Sequence, residues 1–395
     1  MAYDRETICV DDDTAFLAQV RAFLDRALTP DLREAGRRTL GVHSDIAASR
    51  AWHRKLFVQG WIAPAWPVQW GGAGWPARRK FLFDRECALN DAPVLFAGGI
   101  RSLGPLLIEA GTPDQRSRYL PAILSGDDLW GQAFSEPGAG SDLARISTRA
   151  RRDGDDYVID GAKIWTTGAH LANRLFALVR TADGDRPQQG LTFLLIDLPA
   201  PGLTISPIIT LEGEHELNAL FFDGVRVPAA NRVGAEGDGW AVAKRLMAMA
   251  RSNNTPSALV RRVYQRARAA AEAAGDLEPG LLRRLVEAET ELLAFEQTEL
   301  ATLPDGLPRD GDQAGPSMLK LLGSELHQRV AELAMEIQGV GRAPGLAAIL
   351  DEADDDAVAL GARAMAKHLA TRAATIYSGT SETQRNVIAG ALLRG

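Results

Sequence analysis

Two short segments combine glycine with hydroxyl and carboxylate side chains in a way that could hold a ligand. The first, residues 134–142, reads Phe-Ser-Glu-Pro-Gly-Ala-Gly-Ser-Asp and follows a predicted strand. Its glycines let the backbone approach a ligand closely, so the segment could line a planar cofactor. It is neither a Gly-x-Gly-x-x-Gly fingerprint nor a phosphate loop ending in Lys-Ser/Thr, which argues against a nicotinamide-binding fold. On these residues alone, an ordinary loop stays the alternative.

The second segment lies near the C-terminus. Residues 379–384 read Gly-Thr-Ser-Glu-Thr-Gln and lead into a predicted helix over 382–393. The N-terminus of a helix presents unpaired N–H groups that favour an anion. Ser381 and Gln384 also have the Ser-x-x-Gln spacing of a capping box, and capping and ligand binding can coexist.

Composition argues against several other classes of chemistry. Cys9 and Cys87 are the only cysteines among 395 residues, so the sequence predicts neither a disulfide framework nor a metal site. The formal net charge of −7 and the scattered arginine pairs argue against a nucleic-acid partner. No apolar run approaches the ~20 residues that span a bilayer, and Met1 to Asp13 lacks an apolar segment. We therefore expect a cytoplasmic chain without membrane insertion.

The periodicity of the chain changes twice, which predicts an α+β protein with three domains. Apolar residues such as Phe16, Val20 and Leu24 recur at helical spacing in residues 1–127, and Thr29-Pro30 is predicted to end the first helix. Short strands with Gly and Pro turns occupy 128–235, where Asp160-Gly161 has the composition of a hairpin turn. Helical spacing returns in 236–395. Further helices are predicted at about 45–59, 78–90, 102–110, 240–274, 280–301, 316–338, 357–377 and 382–393.

One apolar stripe in the third domain predicts core packing of a helical bundle. It consists of Leu282, Leu285, Val286, Leu292 and Leu293.

Together with further segments, the two glycine-containing segments resemble the acyl-CoA dehydrogenase family. Residues 157–168 read Tyr-Val-Ile-Asp-Gly-Ala-Lys-Ile-Trp-Thr-Thr-Gly, and residues 376–386 extend the C-terminal motif. Residues 221–228, with the glycines and Trp240 that follow, look like the family's exit from its β domain. The resemblance covers nearly the whole chain in order. It implies an N-terminal helical domain, a central β domain and a C-terminal helical bundle, with FAD held by the last two and an acyl thioester against the flavin ring.

The resemblance also implies roles for individual residues. Near the flavin ring it places Gln132, Phe134 and Ser135, with Trp165 and Thr167 covering the other side. The adenosine and phosphate half of FAD would meet Thr380, Glu382 and the turn at Gly339, Val340 and Gly341, where the match is loose. Substrate contacts fall on Ser141, Arg251, Ser378 and Gly379. The family's Arg-x-x-Phe-Gly motif is absent after Tyr264, and Arg283 or Arg284 could replace its arginine or form a surface ion pair.

The carboxylate base of the family is missing. Removal of the α-proton of a thioester needs a positioned base, which the family supplies as glutamate either just before the Gly-Thr motif or before an arginine on the first long C-terminal helix. This chain has Ser378 at the first position and Ala250, before Arg251, at the second. An unassisted serine stays protonated near neutral pH, and alanine has no acid-base function. The backbone N–H of Ser378 could still polarise the thioester carbonyl.

The two vacant positions have four possible explanations. Another residue could supply the base, the chain could work beside a catalytic homologue, the chemistry could differ from α,β-desaturation, or Ala250 could be an engineered change.

From the resemblance we predict an FAD-dependent oxidoreductase acting on acyl-CoA or an acyl-carrier thioester by α,β-desaturation. The alternatives are a flavin-dependent hydroxylase on the same fold and a non-catalytic flavin-binding subunit of a hetero-oligomeric dehydrogenase. We expect a homodimer or homotetramer, or assembly with a homologous partner subunit, and an electron acceptor that the residues leave unidentified.

Overall fold

A computed structural model describes residues 11–251, 256–303, 314–339 and 356–393 of the chain. Within these ranges, helices come first, a β-sheet follows, and helices return. The predicted fold class is confirmed by this order of elements. The domain boundaries stay a prediction, and the last strand of the sheet ends at Val233 whereas the next helix begins at Gly239.

The first part consists of helices that pack around one core. They are α1 (Asp11–Ala27), α2 (Pro30–Arg38), α3 (Ile46–Gln59), α4 (Ala77–Leu89), α5 (Gly104–Ala110) and α6 (Pro113–Ser125). Pro30 does end α1, but it is also the first residue of α2, because the Thr29 hydroxyl accepts from the Leu32 N–H and caps that helix. A capping box formed by Thr112 and Gln115 starts α6 in the same way. Our sequence analysis predicted neither α2 nor α6.

The strands of the central part form one mixed sheet. They are β1 (Trp130–Ala133), β2 (Arg149–Asp153), β3 (Asp156–Lys163), β4 (Arg174–Arg180), β5 (Leu191–Asp197), β6 (Leu203–Ile209), β7 (His215–Pro228) and β8 (Arg232–Val233). The strand order is β6-β7-β3-β2-β4-β5-β8, and β1 pairs in parallel with β4.

The predicted hairpin at Asp160-Gly161 is wrong. Strand β3 runs through Gly161 with a bulge that shifts its register on β7, and the open conformation at φ 142° suits glycine. The turn lies one Asp-Gly pair earlier, at Asp153-Gly154, where Gly154 has φ 60° between the paired strands β2 and β3.

The sheet is buried on both faces. On one face, Phe176, Phe193 and Leu195 join a core that also contains the N-terminal helices and the start of α7. The other face carries a second core around Tyr157, Val179 and Ile196. Runs such as β4 and β5 are therefore almost continuously apolar rather than alternating.

The last part is helical. It comprises α7 (Gly239–Arg251), α8 (Ser257–Ala274), α9 (Pro279–Ala301), α10 (Ala314–Gln338), α11 (Asp356–Thr371) and α12 (Ser381–Leu392). A third core lies between α8, α9 and α10.

Only part of the apolar stripe on α9 enters this third core. Leu285 and Leu292 are buried, but Leu282, Val286 and Leu293 are exposed by 51%, 57% and 36%. The prediction of core packing is therefore wrong for these three. They lie on an exposed flank of the helix beside its buried stripe.

Candidate functional site

A buried ion pair joins two of the segments that the sequence singled out. Glu136, in the loop after β1, lies 2.8 Å from Nζ of Lys163 at the end of β3. The same carboxylate accepts from the backbone N–H groups of Ser147 and Thr148, and Lys163 also donates to the carbonyls of Phe134 and Leu178. Both side chains are almost fully buried. The pair therefore fixes the loop 134–142 against the strand that leads to Trp165.

The pKa values of the two groups keep the pair ionised near neutral pH. Burial alone would raise the pKa of Glu136, but the charge of Lys163 and the hydrogen bonds to the carboxylate lower it to about 2. Burial lowers the pKa of Lys163 to about 8, although Glu136 opposes that shift. Our sequence analysis missed this role of both residues, since a single Glu in a loop and a single Lys in a strand carry no pairing signal.

The three residues in and after β1 that were predicted to lie near the flavin ring differ in their solvent exposure. Gln132 is exposed on β1, and Ser135 is half-buried with its carbonyl accepting from the Ile164 N–H at 2.9 Å. Phe134 is only 4% exposed, and its ring packs edge-on against Phe176 and Phe193. Its side chain belongs to the core of the sheet, so only its backbone could face a ligand.

Trp165 stands beside this edge in an unusual backbone conformation. Its φ is +62°, which side-chain-bearing residues rarely adopt, and its indole is 55% exposed. Thr166 is buried, and its hydroxyl has no partner within the described ranges, whereas Thr167 is half-buried. A large flat apolar surface next to hydroxyl groups suits a planar aromatic ligand.

Strand β7 holds the Trp165 segment in place through Asn218. The fully buried Asn218 accepts from the Thr166 N–H with its backbone carbonyl and donates to the Thr166 carbonyl from its side chain, both at 3.0 Å. Its amide also bridges His170 and His215, whose rings stack with centroids 3.8 Å apart. Burial, and then the neighbouring His215, lower the pKa of His170. These three residues were not predicted, because they converge only when β7 pairs with the loop after β3.

The C-terminal motif forms a tight turn into α12. Ser378 and Gly379 have φ values of 57° and 88°, and the Thr380 hydroxyl caps the helix by accepting from the Thr383 N–H. The predicted capping box of Ser381 and Gln384 is therefore wrong, since the cap lies one residue earlier. Gln384 instead donates to the Gly379 carbonyl at 3.1 Å.

Two polar atoms at this turn have no hydrogen-bond partner among the described residues. They are Oγ of Ser381 and Oε1 of Gln384, both in buried side chains of the first turn of α12. Glu382 is exposed, and its own backbone N–H, the Thr380 hydroxyl and Arg385 lower its pKa. A hydrogen-bonding ligand at this helix start is consistent with the unpaired atoms.

The two vacant base positions, Ser378 and Ala250, lie on different elements. Ser378 is exposed beside Tyr377, whose ring centroid lies 6.0 Å from Nζ of the buried Lys320. Burial lowers the pKa of Lys320 to about 8, and its ammonium donates to the Ala374 carbonyl at 2.9 Å. Ala250 and Arg251 end α7, but their side chains lie outside the described residues.

The remaining predicted residues lie apart from one another. Ser141 is exposed in the loop after β1. Gly339 has φ 84° after α10, while Val340 and Gly341 lie outside the described residues. Arg283 forms an ion pair with Glu287, and Arg284 forms one with Glu336. Both arginines thus follow the alternative of a surface ion pair.

These observations fit a flavin in part. The exposed indole of Trp165, the exposed Gln132 and the unpaired polar atoms at α12 offer aromatic and hydrogen-bonding surface. A Cβ on Gly138 or Gly140 would meet nothing within 4 Å, so the loop leaves open space. Among the described residues, no group of three or more His, Cys, Asp or Glu side chains could hold a metal ion. In the same ranges, no helix has the length and apolar character needed to cross a membrane.

Comparison with protein families gives three matches that together span most of the chain. The N-terminal domain of acyl-CoA dehydrogenases matches residues 10–127, the middle domain matches 131–225, and a C-terminal domain matches 237–393.

Individual relatives agree with these matches. The chain is 38% identical to the acyl-CoA dehydrogenase IpdE1 of Mycobacterium tuberculosis, over 97% of this chain and 98% of that protein. It is 33% identical to the acyl-CoA dehydrogenase FadE26 of the same organism, over 94% of each.

Two solved structures are similar in fold. One, described as the Tcur3481-Tcur3483 steroid ACAD, has a TM-score of 0.84 at 27% identity and covers 98% of this chain and 99% of that one. The other, the ChsE4-ChsE5 complex from Mycobacterium tuberculosis, has a TM-score of 0.82 at 29% identity and covers 98% of each chain.

Proposed function

The chain belongs to the acyl-CoA dehydrogenase family, whose members are FAD-dependent oxidoreductases, and on that premise we propose that it is the FAD-binding subunit of a two-protein acyl-CoA dehydrogenase. In this proposal the assembly desaturates an acyl thioester between its α and β carbons. A homologous partner subunit supplies the base that removes the α-proton.

One observation carries the proposal. The motifs expected to hold a flavin are present in the sequence, yet neither position for the base has a carboxylate. Ser378 is exposed at the first position, and the second is Ala250. A serine without an adjacent base stays protonated, so proton abstraction has to come from elsewhere.

The comparisons support a two-protein assembly. The two solved relatives described above are pairs of proteins by name, Tcur3481 with Tcur3483 and ChsE4 with ChsE5. The exposed side chains of Leu282, Val286 and Leu293 on α9 offer apolar surface that another subunit could cover.

The residues of this chain would bind and orient the reactants. Gln132, Ser135 and Thr167 would bond the edge of the flavin ring and Trp165 would cover its face, while Thr380, Glu382 and Gly339 would meet the rest of FAD. When bound, FAD supplies the acceptor for the β-hydride. The Ser378 N–H would polarise the thioester carbonyl, with Ser141, Arg251 and Gly379 contacting the substrate.

The acyl group is proposed to be large and derived from a steroid. The support is the name of one solved relative, a steroid ACAD. We propose that the substrate is bound as its coenzyme A thioester and that the protein acts in the cytoplasm.

Anaerobic reduction of the flavin tests the proposal. The chain is purified alone and together with a homologous acyl-CoA dehydrogenase chain that carries glutamate at one base position, and FAD content is measured first. We expect a steroid-derived acyl-CoA to bleach the flavin only in the mixed assembly, with an enoyl thioester as product. Rapid bleaching by the chain alone would contradict the need for a partner. Oxygen insertion that depends on reduced flavin would instead indicate a hydroxylase.

A further inference from the structure

We propose that a carboxylate binds at the buried junction between helices α8, α10 and α11 and the N-terminal helical domain, held by Arg262 and Lys367 with His327 beside them. Each of these three side chains is more than nine-tenths buried. None has a role in the proposed function, and their unmet hydrogen-bonding capacity points to an anion.

Arg262 is the clearest observation. This side chain on α8 is 7% exposed, and its Nη2 donates to the Ala92 carbonyl at 2.8 Å. Its Nε and Nη1 have no hydrogen-bond partner, and no carboxylate of the described residues lies within the 4.0 Å of an ion pair. A buried guanidinium that meets only one neutral carbonyl is costly, because charged donors lose their hydration on burial.

Lys367 and His327 repeat the pattern on the neighbouring helices. Lys367 on α11 is 8% exposed and donates to the Leu40 carbonyl at 2.5 Å. His327 on α10 is 3% exposed, and neither ring nitrogen has a hydrogen-bond partner in the part of the chain that the structure describes. Helix α10 packs against both α8 and α11, and the charge of Lys367 acts on His327 as that of Arg262 acts on Lys367. Burial and then the charge of Arg266 lower the pKa of Lys367 to about 7; Glu216 opposes that shift and Arg262 adds to it.

The nearby acidic groups are already engaged. Asp91 pairs with Arg37 and Arg266, each at 3.6 Å. Glu34 is shared among Arg37, Arg38 and Arg363. Glu216 accepts from the backbone N–H of Val42 at 2.6 Å. Glu216 and the buried Glu212 act on Lys367 by charge, but no carboxylate of the described residues forms an ion pair with Arg262 or Lys367.

A carboxylate suits the donors that remain. It is planar, carries a single negative charge and accepts from two guanidinium N–H groups at once. One such charge matches a permanently charged arginine beside a lysine of lowered pKa. A buried water could satisfy individual N–H groups but would leave the charge uncompensated.

The carboxylate could be a free small acid or the far end of a bound acyl group, and the chemistry of recognition is the same. The junction is connected to the Trp165 segment, because Glu216, which contacts Val42, also accepts the Gly168 N–H through its carbonyl at 2.8 Å. Both sources therefore need to be tested.

Thermal unfolding of the full-length protein as purified measures binding. The midpoint is followed with increasing acetate, and with chloride and phosphate at matched ionic strength. We expect a saturable rise of a few degrees with acetate alone, since a ligand that binds only the folded state stabilises it. Arg262→Met should weaken the effect of acetate at least about tenfold, as expected for loss of a charged hydrogen bond. Arg268→Met, the same change at a half-buried position of α8 where the arginine pairs with Glu272, should leave it unaltered.

Butyryl-CoA and glutaryl-CoA then distinguish the two sources. If glutaryl-CoA raises the unfolding midpoint more than butyryl-CoA does, and this difference disappears in Arg262→Met, the carboxylate belongs to the acyl ligand. If the two thioesters raise the midpoint equally and acetate also raises it, the carboxylate belongs to a free acid. Either result supports the site. No saturable effect, equal effects of all three anions, or unchanged acetate affinity in Arg262→Met would overturn it. If Arg262→Met does not fold, Arg262→Lys, which keeps the charge but not the planar fork, is judged by the same criteria.

Discussion

The Glu136–Lys163 pair is the residue-scale feature on which the proposed flavin edge depends. Each partner belongs to a different recognised segment, and each bonds the backbone of a third strand or loop. Breaking one side of such a pair leaves an uncompensated buried charge, which typically costs about 3–5 kcal/mol. The ion pair is therefore expected to control the position of Trp165 as well as local stability.

The pH dependence of unfolding tests this role. Glu136 has a pKa of about 2 in the folded protein against an ordinary value of 4.5, so its contribution is complete above pH 4.5 and is lost as the pH falls towards 2. We expect Glu136→Gln to lower the free energy of unfolding at pH 7 by about 3 kcal/mol, and the difference from the unmodified protein to shrink between pH 4.5 and 2. Denaturant unfolding at several pH values measures this. Asp183→Asn, which removes an exposed ion pair with Arg149, is the control. A difference that stays constant with pH would rule out Glu136 as the titrating group.

The two vacant base positions lead to a second residue-scale prediction. Ala250 lies in helix α7, where glutamate is well tolerated, and the adjacent Arg251 could hold a carboxylate there ionised, whereas no arginine adjoins Ser378 in sequence. If an acyl thioester binds to this chain, we expect Ala250→Glu to raise substrate-dependent flavin reduction by at least about 10²-fold, the lower end for a positioned base. Ser378→Glu should give less.

Stopped-flow flavin bleaching with FAD content matched among variants measures the effect of these substitutions. If both variants bind FAD and acyl-CoA and neither bleaches faster, the substrate is not posed for α-proton removal in this chain.

At the scale of elements, periodicity and turn chemistry predicted much of the fold. Helices such as α3 and α9 were found within one or two residues of their predicted bounds. The errors have local causes. Pro30 both ends one helix and begins the next, and two Asp-Gly pairs compete for one hairpin, a choice that only strand pairing decides.

The candidate site was predictable only where it is local in sequence. Trp165 and Thr380 belong to contiguous motifs, so a sequence can reveal them. Asn218, His170 and the Glu136–Lys163 pair come together through strand pairing across tens of residues, and no spacing rule signals such contacts.

Helix α9 has exposed apolar side chains that could form part of a subunit interface. Its row of Leu282, Val286 and Leu293 is exposed, and burial of one such side chain against a partner contributes about 1.5–3 kcal/mol. We expect Val286→Asp to weaken assembly with the homologous partner subunit about tenfold or more, as measured by sedimentation. Val58→Asp places the same charge at an exposed valine of α3 and should leave assembly unchanged. Equal assembly of the two variants would show that the row faces solvent.

At the scale of the whole molecule, the N-terminal helices are tied to the C-terminal bundle by charge as well as by apolar packing. Arg261 on α8 donates to Glu296 on α9 through two bonds of 2.8 and 2.9 Å, and Arg85 of α4 lies 4.0 Å from the same carboxylate. All three side chains are at most 2% exposed. Glu296 is thus one anion shared by two buried guanidinium groups from different domains.

The shared carboxylate predicts that the two helical domains unfold together and that this coupling depends on Glu296. Glu296→Gln keeps the shape of the side chain but removes the charge, so two buried cations lose their common partner, and we expect the free energy of unfolding to fall by about 3–5 kcal/mol. Glu291→Gln is the control on the same helix as Glu296. It breaks an exposed pair with Arg329 of α10 and should cost about 1 kcal/mol or less.

Tryptophan fluorescence reports mainly the N-terminal helical domain, which holds Trp52, Trp61, Trp66, Trp70 and Trp75, whereas circular dichroism also reports the bundle. The unmodified protein should give coincident transitions by both probes, and Glu296→Gln should shift both to lower denaturant or separate them. If Glu296→Gln unfolds at the same midpoint as Glu291→Gln with coincident probes, the ion cluster does not couple the domains and the apolar interface between α4 and α8 is sufficient.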